Sequence, residues 1–337
     1  MTRHLHLPEQ IRIEVTVLLC AFMASSALTQ TVKSPRLHTP AEIMKIMEDS
    51  KLTYEIGEDS STAPIDSPAV LSNQMYLREK DGGYSLETLS LSDKAQPVYD
   101  EAEGAFKTGD FKKAIALYNR VLSVQPDYCH ALTLIGDAYF SLGLFDSARA
   151  YFTRSIGSNF ADYNAHWFLA DTYRKLGDLK AALKEITIAH LLNVNHANLQ
   201  KAIRYYRERT NRPWKNWAFE PVYHLSKEGN RVAIKTKAEW MGYALVKAVW
   251  AYEPGYAQSM LGETKEKLVI VWPEEKEAVL AVLASNDKLK HINEIIEKEF
   301  FTEFILYEVA AKKSPSVLVL LPREMFMRVV EYVDTFH

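Results

Sequence analysis

The residue types that do chemistry are present in this sequence but seldom grouped into a working pattern. Its ten histidines are scattered, and no two stand at the i, i+4 spacing that would turn both rings toward one metal. Cys20 and Cys129 lie far apart, with no Cys-x-x-Cys pair. There is no Gly-x-Ser-x-Gly nucleophile turn, no His-Glu-x-x-His, and no glycine loop closing on Lys-Ser or Lys-Thr. No catalytic residue, no cofactor and no metal is therefore expected, and recognition chemistry remains. Arg204, Arg207, Arg209 and Arg212 interleave with Tyr205, Tyr206 and Trp214, a pattern able to hold single-stranded nucleic acid or an acidic peptide. A net charge of -3 lends nucleic acid no support, and this stretch reads better as a solvated capping helix. Trp214 and Trp217, in RPWKNW, could bracket a ligand, although aromatics at a junction more often pack.

The elements that would position recognition residues come from a repeat. Gly109-Asp110-Phe111 is followed by Gly143-Leu144-Phe145 and Gly177-Asp178-Leu179, each step 34 residues long. Five residues past each glycine stands Ala114, Ala148 or Ala182, and four further on Tyr118, Phe152 or Ile186. A fixed period of this size means stacked supersecondary units, none able to bury its apolar face alone. The second unit, Cys129 to Asp162, carries Ile135-Gly136, Tyr139, Gly143, Phe145, Ala148 and Phe152. The third, Tyr163 to His196, carries Leu169-Ala170, Tyr173, Gly177, Ala182, Ile186 and Ala189. The first, Ala95 to Tyr128, has Ala102, Gly109, Ala114, Tyr118 and Pro126, with a weaker leading helix.

Period and residues together resemble the tetratricopeptide repeat, over about a third of the chain. The resemblance implies helix–turn–helix units in which Gly136, Ala148, Ala170 and Ala182 let helix axes approach and large neighbours fill the space beside them. It also implies a concave groove lined by the first helix of each unit. In this sequence the groove positions would hold Tyr99, Glu103 and Phe106; then Thr133, Asp137 and Phe140; then Trp167, Asp171 and Arg174. Some family members grip a peptide's terminal carboxylate with Lys, Arg and Asn there. Here only Lys107, Arg174 and Lys175 are basic, and Glu103, Asp137 and Asp171 occupy the row where Asn would help, so that clamp is not expected. A carboxylate row favours a partner with Lys or Arg, with Tyr99, Phe140 and Trp167 as contact area and cation–π faces. Three acids on a wet helical face can also be merely solvated.

Length, 47% hydrophobic and 25% charged residues allow two or more globular domains. Val15 to Leu28 (VTVLLCAFMASSAL), preceded by Arg3 and Arg12, suits a secretory signal peptide cleaved before Gln30; an uncleaved anchor or a buried helix is the other reading. The expected organisation is a signal over residues 1–29, an N-terminal extension and linker over 30–92, a solenoid with capping helix over 93–210, and a C-terminal domain over 211–337. Thr39-Pro40 opens a short amphipathic helix with Ile43, Met44, Ile46 and Met47. Leu52 to Ile56 alternates as a strand, and Met75–Leu77 with Tyr84–Leu86 reads as a hairpin or as locally ordered tether. In the C-terminal region Trp240 to Tyr252 is apolar on nearly every face and reads as a buried helix. Helices are expected over Glu274 to Ala284 and Leu289 to Ala310, and Lys267 to Trp272 and Ser316 to Leu321 are runs of strand length that suit a strand or a buried helix alike. The fold class is thus mainly α: an α-solenoid of helix–turn–helix repeats with a C-terminal α or α+β domain. The expected function is a non-catalytic, exported scaffold of the periplasm or cell envelope, cytoplasmic if the N-terminal run is no signal, binding a protein or peptide and no nucleic acid, with no membrane domain in the mature chain. The alternatives are a C-terminal enzyme or ligand module docked by the repeats, and a structural subunit of an envelope complex.

Overall fold

The computed structural model describes residues 36–58, 70–72, 75–80, 83–215, 219–261 and 272–337. The expected signal segment, most of the linker, Trp217 and the run 267–271 lie outside them. Helix α1, Pro40–Glu48, begins at a capping box: the Thr39 hydroxyl accepts from the Glu42 amide, and Glu42 Oε2 accepts from the Thr39 amide at 2.8 Å. Pro40 needs no amide partner at that position, and Ile43 and Met47 form the buried stripe. Strand β1, Thr53–Glu58, follows, then the antiparallel hairpin of β2, Met75–Lys80, and β3, Gly83–Thr88.

The repeats are three helix pairs: α2, Gln96–Lys107, with α3, Phe111–Val124; α4, His130–Ser141, with α5, Phe145–Ser158; and α6, Tyr163–Lys175, with α7, Leu179–Leu192. Each pair turns at a glycine in the left-handed region, Gly109, Gly143 and Gly177, with φ of 80°, 74° and 86°. The residue after each glycine donates its amide back five residues, Asp110 to the Ala105 carbonyl and Asp178 to the Tyr173 carbonyl, which closes the helix end as a Schellman turn. Asp110 and Asp178 then cap the following helix, accepting from the Lys113 and Ala181 amides at 3.1 and 2.9 Å. Leu144 holds the same place in the middle repeat and cannot do so. A Cβ added at Gly136 would fall 2.6 Å from the Phe152 ring, which is why the middle repeat needs glycine there. Helix α8, Ala197–Arg209, closes the stack, burying Leu199, Ile203 and Tyr206 and leaving Lys201, Arg204, Glu208 and Arg209 in water.

Strands β4, Tyr223–Glu228, and β5, Arg231–Thr236, pair antiparallel, and β1 pairs parallel with β5, giving the order β1-β5-β4. Part of the segment expected as an N-terminal extension is thereby built into the C-terminal sheet. A single 3₁₀ turn, Ala238–Trp240, leads into α9, Met241–Tyr252, followed by α10, Tyr256–Leu261, and α11, Pro273–Leu283. Helix α9 is buried as its composition requires, and Gly242 lets it approach α11, where a Cβ would meet the Ala281 carbonyl oxygen at 2.5 Å. The rest corrects one expectation and decides an open one. The helix expected over Leu289 to Ala310 is broken: α12, His291–Glu297, stops at Glu299, whose φ is 62°, and resumes as α13, Phe301–Phe304, running into a π-helical turn over Ile305–Ala311. Ser316 to Leu321 is no strand but a helical turn, α14, Ser316–Val319, packed against α7 and the π-helical turn. Helix α15, Arg323–Phe336, ends the described chain and also packs on α7. The last repeat therefore shares one apolar core with the C-terminal domain, and α7 is buried on most faces. No helix among the described residues is long and apolar enough to cross a membrane.

Candidate interaction groove

The repeat places Tyr99, Glu103 and Phe106 on α2, Asp137 and Phe140 on α4, and Trp167, Asp171 and Arg174 on α6, at equivalent turns of three stacked helices. All eight are half-buried. Their surroundings differ from one repeat to the next.

In the first repeat, the Tyr118 hydroxyl on α3 donates to Glu103 Oε1 at 2.5 Å. Tyr118 is wholly buried, and burial followed by the adjacent Glu103 carboxylate pushes its phenol up. Tyr99 stands 6.1 Å from the Tyr118 ring and meets Tyr128 edge-on at 5.9 Å. Tyr128 in turn meets His130 edge-on at 6.1 Å. Glu103 thus sits against a wall of phenols that are packed in the apolar core of the first repeat.

In the third repeat, Asp171 Oδ1 accepts from the Tyr206 hydroxyl of α8 at 2.8 Å and from Arg174 at 3.2 and 3.3 Å. Arg174, which stood out in the sequence as one of three groove cations, is paired with its own helix's carboxylate. Trp167 lies beside the ring of His196 at 6.2 Å, edge-on.

The middle repeat is different. Asp137 makes no hydrogen bond and no ion pair with any described residue. Burial, and then the negative charge of Glu103, push its carboxyl up to about 6. Helix α4 carries no lysine or arginine that could answer it. The neighbouring groove position, Thr133, is fully buried, and its hydroxyl lies 2.7 Å from both Ser155 and Asp162 in the seam between repeats. Burial works to raise the Asp162 carboxyl, but His130, Thr133 and the Ala165 amide hold it below its usual range. Asp162 also caps α6 through the Asn164 and Ala165 amides, so it belongs to the fold.

Phe106 and Phe140 stand edge-on to Phe111 and Phe145, at 5.2 and 5.3 Å, across the turn of their own repeats. They pin the helix pair and offer an edge to the groove. Sequence reasoning passed over the phenols that set each acid's state. A signal was present: Tyr118, Phe152 and Ile186 share one position of the period, and only the first carries a hydroxyl. No group of three or more His, Cys, Asp or Glu side chains able to hold a metal occurs among the described residues.

The tetratricopeptide repeat family model matches residues 99–162 and 133–187, so this stretch carries tetratricopeptide repeats. No curated protein sequence matches the chain. Among solved structures, the first tetratricopeptide domain of Spaghetti (RPAP3) bound to the HSP90 peptide SRMEEVD is 22% identical, covering 36% of this chain and 95% of its own, with a TM-score of 0.34. The first such domain of human RPAP3 is 20% identical over 35% of this chain and 92% of its own, with a TM-score of 0.33. The Yersinia enterocolitica type III secretion chaperone SycD, in complex with a peptide of the translocator YopD, is 13% identical over 35% of this chain and 96% of its own, with a TM-score of 0.33.

Proposed function

We propose that this tetratricopeptide repeat protein is a non-catalytic scaffold that captures a segment of another protein along the helix faces of α2, α4 and α6. The observation that carries this reading is the row of half-buried acids and aromatics repeated on those helices, one set per unit. A rigid stack offers a preformed surface, so little ordering entropy is lost by the receptor on binding. Tyr99, Phe140 and Trp167 supply anchor area, and the acids favour a partner carrying lysine or arginine. The reading of Val15–Leu28 as a signal adds export to the proposal, and N-terminal sequencing of the mature chain checks it.

The rival reading of a ligand module in the C-terminal domain, which would need polar groups converging among Trp240, Tyr243, Trp250, Tyr252 and Tyr256, loses support from where three of them point. Tyr243 donates to Glu275, and Trp250 Nε1 and the Tyr256 hydroxyl donate to Glu277 at 2.6 and 2.9 Å. These polar tips are occupied by the protein's own carboxylates. The test is affinity capture with the full chain and with the double variant Asp137→Lys/Asp171→Lys. A partner held by the first and lost by the second supports groove capture. A partner held equally by both places binding elsewhere and sinks the proposal.

A further inference from the structure

The repeats carry a second row, at the C-terminal ends of α3, α5 and α7. Gln125, Asn159 and Asn193 each cap one of these helices, and they stand 34 residues apart. All three turn their side-chain amides to main-chain atoms of one stretch of the chain. Asn193 Oδ1 accepts from the Leu71 amide and its Nδ2 donates to the Leu71 carbonyl, both at 3.0 Å. Asn159 Nδ2 donates to the Met75 carbonyl at 2.8 Å. Gln125 Oε1 accepts from the Ser92 amide at 2.8 Å, and its Nε2 donates to the Ser90 carbonyl at 3.0 Å. We propose that this row is a second peptide-binding track, independent of the groove on α2, α4 and α6, and that residues 70–92 occupy it as a resident ligand. The partner it fits is an extended, uncharged stretch of another protein that takes the resident's place.

The track reads the main chain. Each of the five bonds ends on a backbone N–H or C=O, groups that every residue but proline offers in full. Leu71 and Met75, four residues apart, answer amides one repeat apart, which sets the register for a linear ligand. The row is neutral, so a charged side chain gains nothing from it. Residues 70–77 and 88–92 carry no charge, whereas Arg78 and Glu87 pair with each other at 2.8 Å in the hairpin. The track also demands an occupant. Asn159 and Asn193 are 6% and 0% exposed, and a buried amide left without partners costs free energy.

The resident is seated loosely. Val70 and Tyr84 are 53% and 38% exposed, and Leu71, Tyr76 and Leu77 are half-buried. A cavity of about 440 Å³ remains where the hairpin meets the first repeat, edged by Tyr76, Tyr84 and Asp127. Protein interiors are packed without such gaps, so this contact is not core. Strand β1 ends at Glu58 and α2 begins at Gln96, so the resident is tethered at both ends. A tethered ligand competes at an effective concentration on the order of millimolar, which a partner of higher affinity overcomes.

The test uses the full chain and a fluorescent peptide of residues 70–92. A second peptide, N-methylated at Leu71 and Ser92, lacks the two amide donors. Leu71→Pro/Ser92→Pro removes the same donors from the resident and opens the track. This variant should bind the free peptide roughly tenfold or more tighter than the wild type does, because the wild-type track is filled. It should also prefer the plain peptide to the N-methylated one by roughly tenfold, the loss expected for two hydrogen bonds. Adding Asn193→Ala should weaken the plain peptide several-fold. Failure of the variant to bind the plain peptide overturns the proposal, since residues 70–92 are then part of the fold. Equal binding of the two peptides overturns main-chain reading and the proposal with it. Circular dichroism of the variant should match the wild type. Hydrogen exchange of the wild type keeps the test alive if it does not. The Leu71 and Ser92 amides should exchange roughly tenfold or more faster than those of the buried Ala189 and Leu191 on α7, because the seat opens locally. Equal protection overturns the proposal. None of these outcomes bears on the groove.

Discussion

The C-terminal domain and the groove of the repeats both take carboxylates out of water, and they treat them differently. In the C-terminal domain Glu275, Glu277 and Glu308 are each stitched into place by two or more donors. Glu277, fully buried, accepts from the His38 amide at 2.5 Å, the Trp250 ring at 2.6 Å and the Tyr256 hydroxyl at 2.9 Å. Glu308 accepts from Lys312 at 2.6 Å and lies 2.7 Å from His337 Nε2. Glu275 takes the Tyr243 hydroxyl and Lys247. In the groove the supply is uneven: Tyr118 serves Glu103, Arg174 and Tyr206 serve Asp171, and nothing described serves Asp137. Burial of a charge is tolerable only when it is paired and hydrogen-bonded. The stitched acids therefore hold the fold together, and Asp137 has no such tie among the described residues.

The largest effect should come from cutting a stitch. Glu277→Ala leaves the Trp250 ring N–H, the Tyr256 hydroxyl and the His38 amide without their acceptor in the core. The expected loss is about 3–5 kcal/mol, as for removing one member of a buried charged network. Because His38 leads into α1, the variant should also expose α1 and β1 to protease. Guanidinium unfolding and limited proteolysis read both effects. A loss under about 1 kcal/mol would mean that these buried acids do not hold the domain, and the comparison would break there.

Close helix approach is the second point of contrast. In the C-terminal domain Gly242 abuts the Ala281 carbonyl, which is backbone and cannot turn aside. In the repeats Gly136 abuts the Phe152 ring, a side chain that can shift by a few tenths of an ångström. Gly242→Ala should cost about 2–3 kcal/mol and Gly136→Ala about 1–2 kcal/mol, the usual range for overpacking a tight interior. The order of the two unfolding midpoints is the measurement. A reversed order would mean that the helix pair of the middle repeat is the less yielding of the two interfaces.

How much of this was legible in the sequence follows from how local each feature is. The turn glycines, the small and large residues between helices and the capping Asp110 and Asp178 all act within one unit, and the period displays them three times. The acid row was legible for the same reason. The partners of the acids were not, since Tyr206 reaches Asp171 from the capping helix and no pattern announces it. In the C-terminal domain the decisive contacts are long-range. Strand β1 finds β5 across most of the chain, with Thr53 opposite Arg231, and no residue in either strand foretells that pairing. The β4–β5 hairpin carried a local signal, Gly229-Asn230 between two alternating runs, that went unread. Ser316 to Leu321 has strand-like composition, but tertiary packing against α7 decides its conformation. The break at Glu299 has no glycine or proline to mark it.

The smallest effect tests the contrast most directly. If Asp137 is an unanswered charge, removing it should stabilise the protein, whereas removing any stitched acid destabilises it. Its carboxyl moves from 3.8 in the unfolded chain to about 6 in the folded one, which bounds the gain at about 3 kcal/mol. Water at its exposed edge and its coupling to Glu103 reduce this to about 1 kcal/mol. The sign fixes the pH window. Between about pH 4 and pH 6 the native wild type binds more protons than the unfolded chain, so this residue's contribution improves as pH falls through that range. Asp137→Asn has nothing to titrate there. The variant should therefore be more stable than the wild type at pH 7.5, with the gap narrowing below pH 6 and closing near pH 4, while the other acids titrate alike in both forms. Urea midpoints at pH 7.5, 5 and 4 give the three points needed. A variant less stable than the wild type at pH 7.5 would show that Asp137 is stitched after all, and its place in the groove would then be structural. A more stable variant that no longer retains a partner held by the wild type would show the opposite: a charge that weakens the fold and is used on the partner.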